Sequence, residues 1–271
     1  MAAMTTERPL LSAAQRGEYH ERGFLVVPAV FSPAETSEVS DEAQRLLRRT
    51  DLIDTRNLRC RWQPRCTGED LASSGCSSEC LFETFDSVID LAPSCARLAR
   101  HPRLLALLAE LYGEPARLFE DKLIFEPPGA KGYDLHQDYI AWPNFPRSLV
   151  TAAVAIDPCD KGNGCTVAYS GYHKRGLLTP EDGDHHPLPD GTVDEATAFP
   201  LELRPGDVAF FGCFTPHRSA PNTSERWRRL LYLSDNAESD GGDRREQHDG
   251  EFLPWLRKKY AEYGKTDVYF A

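Results

Sequence analysis

Residues 199–233 read FPLELRPGDVAFFGCFTPHRSAPNTSERWRRLLYL. Three short runs rich in aromatic and aliphatic residues, Phe199 to Leu203, Val208 to Phe211 and Trp227 to Leu233, are parted by Pro205-Gly206-Asp207 and by a polar stretch after His217. Runs of that length between turn-forming residues predict strands. The same texture extends toward the N-terminus through Arg117 to Phe125, Thr151 to Ile156 and Thr166 to Tyr169, with Pro127-Pro128-Gly129 and Lys161-Gly162-Asn163-Gly164 as turns.

Further upstream the period changes. Residues 10 to 20 predict a helix, followed by a short strand at Gly23 to Val27. Ser32-Pro33-Ala34-Glu35 opens a second helix that runs to about Arg49: Ser32 caps, Pro33 takes the first helical position, and Glu35 completes the capping box. Leu104, Leu107, Leu108 and Leu111 recur at helical spacing, so 97 to 112 predicts an amphipathic helix closed by Gly113. Residues 50 to 80 predict a long surface loop with one strand at Leu58 to Trp62, and Glu251 to Tyr263 a last helix. Helices first and strands after predict a mostly-β domain with N-terminal helices, a double-stranded β-helix (jelly roll, cupin-like). One domain is expected over 1–271, with a helical part at about 1–113, a jelly-roll core at about 114–235 and a C-terminal helix at about 251–263.

Of the 271 residues, 41% are hydrophobic and 10% aromatic, enough for one large core. The net charge of -11 argues against nucleic acid and acidic membrane surfaces as partners. No apolar run reaches the roughly 18 residues of a membrane span. The opening MAAMTTERPLL lacks a basic segment followed by an apolar one, so a cytoplasmic enzyme is expected rather than a secreted one. Eight cysteines are then expected as thiols. Cys60, Cys66, Cys76 and Cys80 cluster as C-x5-C-x9-C-x3-C, in which only the second pair has zinc-site spacing, so ordinary loop thiols are favoured over zinc.

The chemistry centres on Leu135-His136-Gln137-Asp138. Placed at a strand end, His-x-Asp aims an imidazole and a carboxylate into one space, because strand residues alternate. A second imidazole from a distant strand completes a 2-His-1-carboxylate triad for Fe(II) with three open positions. His217, after the Pro-Gly-Asp turn and the Val208 strand, is the candidate. Alone, each signal also fits an ordinary hydrogen-bonded side chain; together they are specific. Eleven residues beyond His217, Arg228 lies inside a strand, where a guanidinium can grip a carboxylate with two parallel hydrogen bonds.

With His136, Asp138, His217 and Arg228 at these intervals, the sequence resembles the phytanoyl-CoA dioxygenase family of iron- and 2-oxoglutarate-dependent oxygenases. Residues 21–27 (ERGFLVV), 162–165 (GNGC) and 170–174 (SGYHK) carry further likeness. The last of these stands where relatives show Pro-Gly-Ser-His, and His173 is read as structural. The resemblance covers nearly the whole chain and is weakest at 50 to 80 and after 235. It implies Fe(II) on His136, Asp138 and His217, 2-oxoglutarate on Arg228, and O2 as oxidant. The implied reaction hydroxylates a C–H bond with release of succinate and CO2. Relatives that halogenate lack the carboxylate, so Asp138 favours oxygen insertion.

Other assignments are less constrained. Arg226 and Arg229 flank Arg228 as rival anchors. Trp142, four residues past Asp138, is placed where similar hydroxylases of ectoine carry Trp; it either walls the 2-oxoglutarate pocket or fills core. Lys122 either pairs with a 2-oxoglutarate carboxylate or is solvated, and Asn222 orients the His217 loop. Arg56, Arg59, Arg61 and Arg65 form a basic island in an acidic chain. Either they are solvated, or the loop from about Leu52 to Cys80 closes over the cavity and presents Arg59 or Arg61 to an anionic small-molecule substrate. Two rival classes remain: a jelly-roll binding module without catalysis, and a cupin-type iron enzyme that does not use 2-oxoglutarate. Arg228 disfavours the second.

Overall fold

The computed structural model describes residues 9–63, 81–142 and 144–271; Arg65, Cys66, Cys76 and Cys80 lie outside them. In chain order, α1 (Ala13–Arg22) leads into β1 (Phe24–Val27), then α2 (Pro33–Leu46), β2 (Cys60–Gln63) and β3 (Leu81–Asp86). Two short helices follow, α3 (Pro93–Ala99) and α4 (Pro102–Tyr112), and then β4 (Ala116–Glu126) and β5 (Val150–Ala155). The remainder is β6 (Thr166–Tyr169), β7 (Ala198–Pro200), β8 (Val208–Gly212), β9 (His217–Ser219), β10 (Arg228–Ala237) and α5 (Arg245–Glu262).

Local chemistry accounts for the helix ends. Ser12 and Ser32 each accept from the backbone three residues on, and Gln15 and Glu35 reach back, so both helices start in capping boxes. The helix expected over 97 to 112 is two helices. Pro102 has no N–H to continue the first and takes the first turn of the second, with His101 as its cap.

Seven strands form one sheet in the order β1-β8-β5-β10-β4-β3-β2, and three form a second, β7-β6-β9; all pairings are antiparallel. This is the jelly roll the sequence predicts, with one correction. The large sheet takes three strands from before residue 113: β1 and β2, where strands are expected, and β3, which is not. The arginine-bearing strand begins at Cys60 rather than Leu58.

Alternation sorts the faces of the large sheet. Leu123, Phe125, Val150, Ala152, Val154, Phe210, Leu231 and Leu233 pack with Val39, Ala43, Leu104, Leu107 and Leu108 of the helices. The intervening residues Ala153, Ala155, Ala209, Phe211 and Leu230 face Ala168, Leu201 and Leu203 on the small-sheet side. Hence Arg228, Tyr232 and Ser234 turn toward the space between the sheets. Arg229 turns outward to Asp157, 2.7 Å away, and to Ser40 of α2.

Asp235 also lies on the helix side. It is 1% exposed, and among the described residues neither carboxylate oxygen has a hydrogen-bond partner. Burial pushes its pKa from 3.8 up to about 7, against the opposing charge of Arg245. A raised native pKa means stability that is full below 3.8 and is lost as pH rises toward 7. Asp235→Asn removes that slope. Its stability relative to the parent, measured by urea unfolding, is expected to grow by about 2–3 kcal/mol between pH 5 and pH 8. A constant difference across that range would show that Asp235 is neutralised by a partner instead.

Candidate active site

His136 and His217 face each other across a single antiparallel bridge, each backbone N–H donating to the other's carbonyl at 3.0 and 2.9 Å. His217 opens β9 as expected at a strand end, but His136 sits in the long β4–β5 connection. What aims His136 and Asp138 the same way is Gln137, which turns inward between them. Its amide donates to the carbonyls of Gly176 and Phe214 and accepts from Leu178 N–H, at 2.7–2.9 Å.

His136 Nδ1 lies 2.7 Å from the carbonyl of Asp134, and His217 Nδ1 lies 3.0 Å from that of Thr215. A carbonyl only accepts, so each Nδ1 donates to it and each Nε2 is the nitrogen turned toward Asp138. Both Nε2 atoms stand 3.6 Å from Asp138 Oδ1. Thr151 Oγ1 donates to the other carboxylate oxygen at 3.2 Å. Burial and neighbouring His136 push His217 down to about 4, so its imidazole is neutral at pH 7. Burial alone would raise the Asp138 pKa, but His217, His136 and Lys122 hold it well below the usual carboxylate range. One carboxylate oxygen and two imidazole nitrogens, with ligand atoms within 4.8 Å of one another, fit a divalent iron.

The triad opens into a cavity of about 360 Å³ between the sheets. Lys122 lines it, half-buried, with Nζ 3.2 Å from Glu120. Arg61 lines it as well, held 3.0 Å from Asp86. Arg228 is 1% exposed and ion-paired with Glu126, opposite it in the β10–β4 register. Its Nε has no acceptor among the described residues, an unused donor that suits a ligand carboxylate. Neither rival anchor competes: Arg226 is exposed on Asp160 and Arg229 is committed to Asp157.

Arg228 is not among the residues that line this cavity, and two further expected site residues lie elsewhere. Trp142 is not in the cavity wall; its ring packs on Trp255, Phe252 and His248, centroids 5.1–6.0 Å apart, and so docks α5. Arg59 is 3% exposed and shares no face with Arg61, because it precedes the strand. It bonds Asp90 at 2.7 Å, the carbonyls of Ser87 and Ala271, and stacks on Phe270. Of the expected lid over Leu52 to Cys80, the described part supplies Thr55, Cys60, Arg61 and Trp62 to the wall. Asn222 braces the segment after His217, donating to the carbonyls of Glu126 and Arg226. His173, bonded to His20, packs against Gly23, whose φ of +88° and lack of a side chain permit the approach.

Sequence reading missed several wall residues. Glu83 comes from β3, whose Phe82, Thr84 and Phe85 were the available strand signal. Tyr133, Ser234, Tyr260 and Lys265 also line the cavity, and His185 packs on His136 at 5.1 Å between centroids.

A jelly roll with two histidines and a carboxylate at such a cavity defines a non-haem iron oxygenase. The phytanoyl-CoA dioxygenase (PhyH) family model matches residues 19–230, and the chain belongs to that family. It is an Fe(II)- and 2-oxoglutarate-dependent dioxygenase. It is 36% identical over 161 residues to a methylphosphonate hydroxylase of Gimesia maris, an alignment covering 58% of this chain and 57% of that enzyme. It is 28% identical over 236 residues to the 2-aminoethylphosphonate dioxygenase of uncultured bacterium HF130_AEPn_1, covering 85% and 83%. Among solved structures, EctD from S. alaskensis with 2-oxoglutarate and 5-hydroxyectoine shares the fold, with a TM-score of 0.65 and 20% identity over 87% of this chain and 79% of that one. No helix among the described residues is long and apolar enough to cross a membrane.

Proposed function

We propose that the protein hydroxylates a C–H bond of a small anionic molecule of phosphonate type, releasing succinate and CO2. The observation that carries this reading is the presence of Arg61 and Lys122 in the same cavity as the triad, in a chain of net charge -11. The two phosphonate enzymes among its relatives support the class. A cavity of about 360 Å³ suits a compact substrate.

In this reading iron, when bound, supplies oxidising power drawn from O2 and 2-oxoglutarate. Asp138 Oδ1 and the two Nε2 atoms would hold the metal. Arg228 takes the remote carboxylate of 2-oxoglutarate. Lys122, at the wall nearer Asp138, neutralises a further carboxylate or the substrate anion. Arg61, restrained by Asp86 and by the Leu58 carbonyl, orients the substrate's charged end. Trp62 and Tyr260 also line the cavity.

Succinate release measured across alkylphosphonates, phosphates and carboxylates tests the class. Arg61→Gln is expected to lower kcat/KM for the preferred phosphonate about tenfold or more, with KM for 2-oxoglutarate unchanged. Added salt is expected to weaken the parent's efficiency more than the variant's. Unaltered efficiency in a folded Arg61→Gln protein, or a preference for uncharged substrates, would remove the anion reading.

A further inference from the structure

Arg228 does not stand alone where β10 pairs with β4. Glu126 lies against it, 2% exposed, and Glu83 of the neighbouring strand is 6% exposed beside them. Glu83 is fixed by hydrogen bonds from Gln63 and Tyr133 and reaches the cavity wall. Glu126 Oε1 and Arg228 Nη2 touch as an ion pair, while Arg228 Nε has no hydrogen-bond partner among the described residues. Glu126 therefore holds one guanidinium donor and leaves Nε for an incoming ligand. Two buried carboxylates share one buried cation. A third carboxylate, brought by 2-oxoglutarate, would leave that space with two uncompensated negative charges.

We infer that Glu126 is a positioning residue that occupies Arg228 until the co-substrate arrives, and that the Glu126–Glu83 pair takes up one solvent proton as the 2-oxoglutarate carboxylate replaces it on the guanidinium. The inference rests on Arg228 being the co-substrate anchor. No bond is made or broken beyond that protonation. The exchange turns a charged internal pair into a neutral acid beside a charge-assisted Arg–carboxylate pair.

The neighbours leave few other groups to accept the proton. Among the described residues, besides Arg228 and Arg61, the titratable side chains near this pair or its arginine are Tyr133, Tyr232, Cys159 and Cys165. Burial pushes all four up, Cys165 to about 11, so they are already protonated near neutrality. Burial likewise raises Glu126 to about 7 and Glu83 to about 6, against the attraction of Arg228. The protonated form is thus within reach at physiological pH. Lowering pH frees Arg228 and strengthens co-substrate binding; raising it locks Arg228 on Glu126.

The test is calorimetric titration of 2-oxoglutarate into the Fe(II)-loaded full chain without oxygen, from pH 6 to 9, in buffers of different ionisation enthalpy. Proton uptake approaching one per 2-oxoglutarate is expected at pH 8, with affinity falling by up to about tenfold per pH unit above 7. Glu126→Gln is expected to bind about tenfold tighter at pH 8 and to take up markedly less proton; Glu83→Gln is expected to reduce the uptake too. Binding by the parent without proton uptake would overturn the inference even if no variant folds, as would a folded Glu126→Gln with the parent's pH slope. If the parent takes up its proton but Arg228→Gln binds 2-oxoglutarate as tightly, the anchor assignment fails, and the inference with it.

Discussion

Asp138→Ala is expected to abolish turnover and to weaken Fe(II) binding by more than about a hundred-fold. Asp138 supplies the only carboxylate of the three converging groups, with Oδ1 3.6 Å from each Nε2 and Oδ2 held by Thr151. Loss of groups that merely orient metal ligands typically costs 10–100-fold, so loss of a charged ligand should exceed that. The two imidazoles keep their orientation in the variant, because Asp134, Thr215 and the Gln137 bonds do not depend on the carboxylate. Iron titration followed by succinate assay separates lost metal from lost chemistry. His136→Ala and His217→Ala are expected to fail similarly. Near-normal hydroxylation by Asp138→Ala would refute the triad assignment.

The second large effect is expected from Arg228→Ala. It should raise the 2-oxoglutarate requirement far more than that for the primary substrate. Removing one partner of a buried charge-assisted pair costs about 2–5 kcal/mol, roughly 30-fold to several thousand-fold in co-substrate affinity. Part of that loss comes from Glu126, which the substitution leaves buried without its cation. Thermal unfolding must therefore accompany the kinetics. Arg226→Ala is the control, since Arg226 is half-exposed and ion-paired with Asp160. A folded Arg228→Ala enzyme with unchanged 2-oxoglutarate KM would move the anchor elsewhere.

Much of this molecule was legible as pattern. Capping boxes at Ser32-Pro33-Ala34-Glu35, leucines at helical spacing and short strands between Pro-Gly turns are local signals, decided by bonds within a few residues. The jelly roll followed from their order. The interval from His136 and Asp138 to His217 and Arg228 was legible because a metal site needs those residue types, whatever backbone carries them. Where local rules gave the wrong answer, a single residue or a distant partner intervened. Pro102 divided one expected helix, and Gln137 did by cross-loop hydrogen bonds what strand alternation was expected to do.

The arginines mark the boundary more sharply. Charge pattern alone treated Arg59 and Arg61 as equals, and the family resemblance left Trp142 either at the 2-oxoglutarate pocket or in the core. The tertiary structure separates them. Arg59 is consumed by Asp90 and the C-terminal residues, Arg61 reaches the cavity, and Trp142 anchors α5. Sequence by itself determined the elements, the metal-binding residue types and the acidic balance, because these depend on composition and short-range spacing. Only the tertiary structure decided that Glu83, Glu126 and Arg228 share one buried space. Strands far apart in the chain become neighbours through the β3–β4–β10 register, and a pairing across that sheet leaves no periodic trace in any one segment.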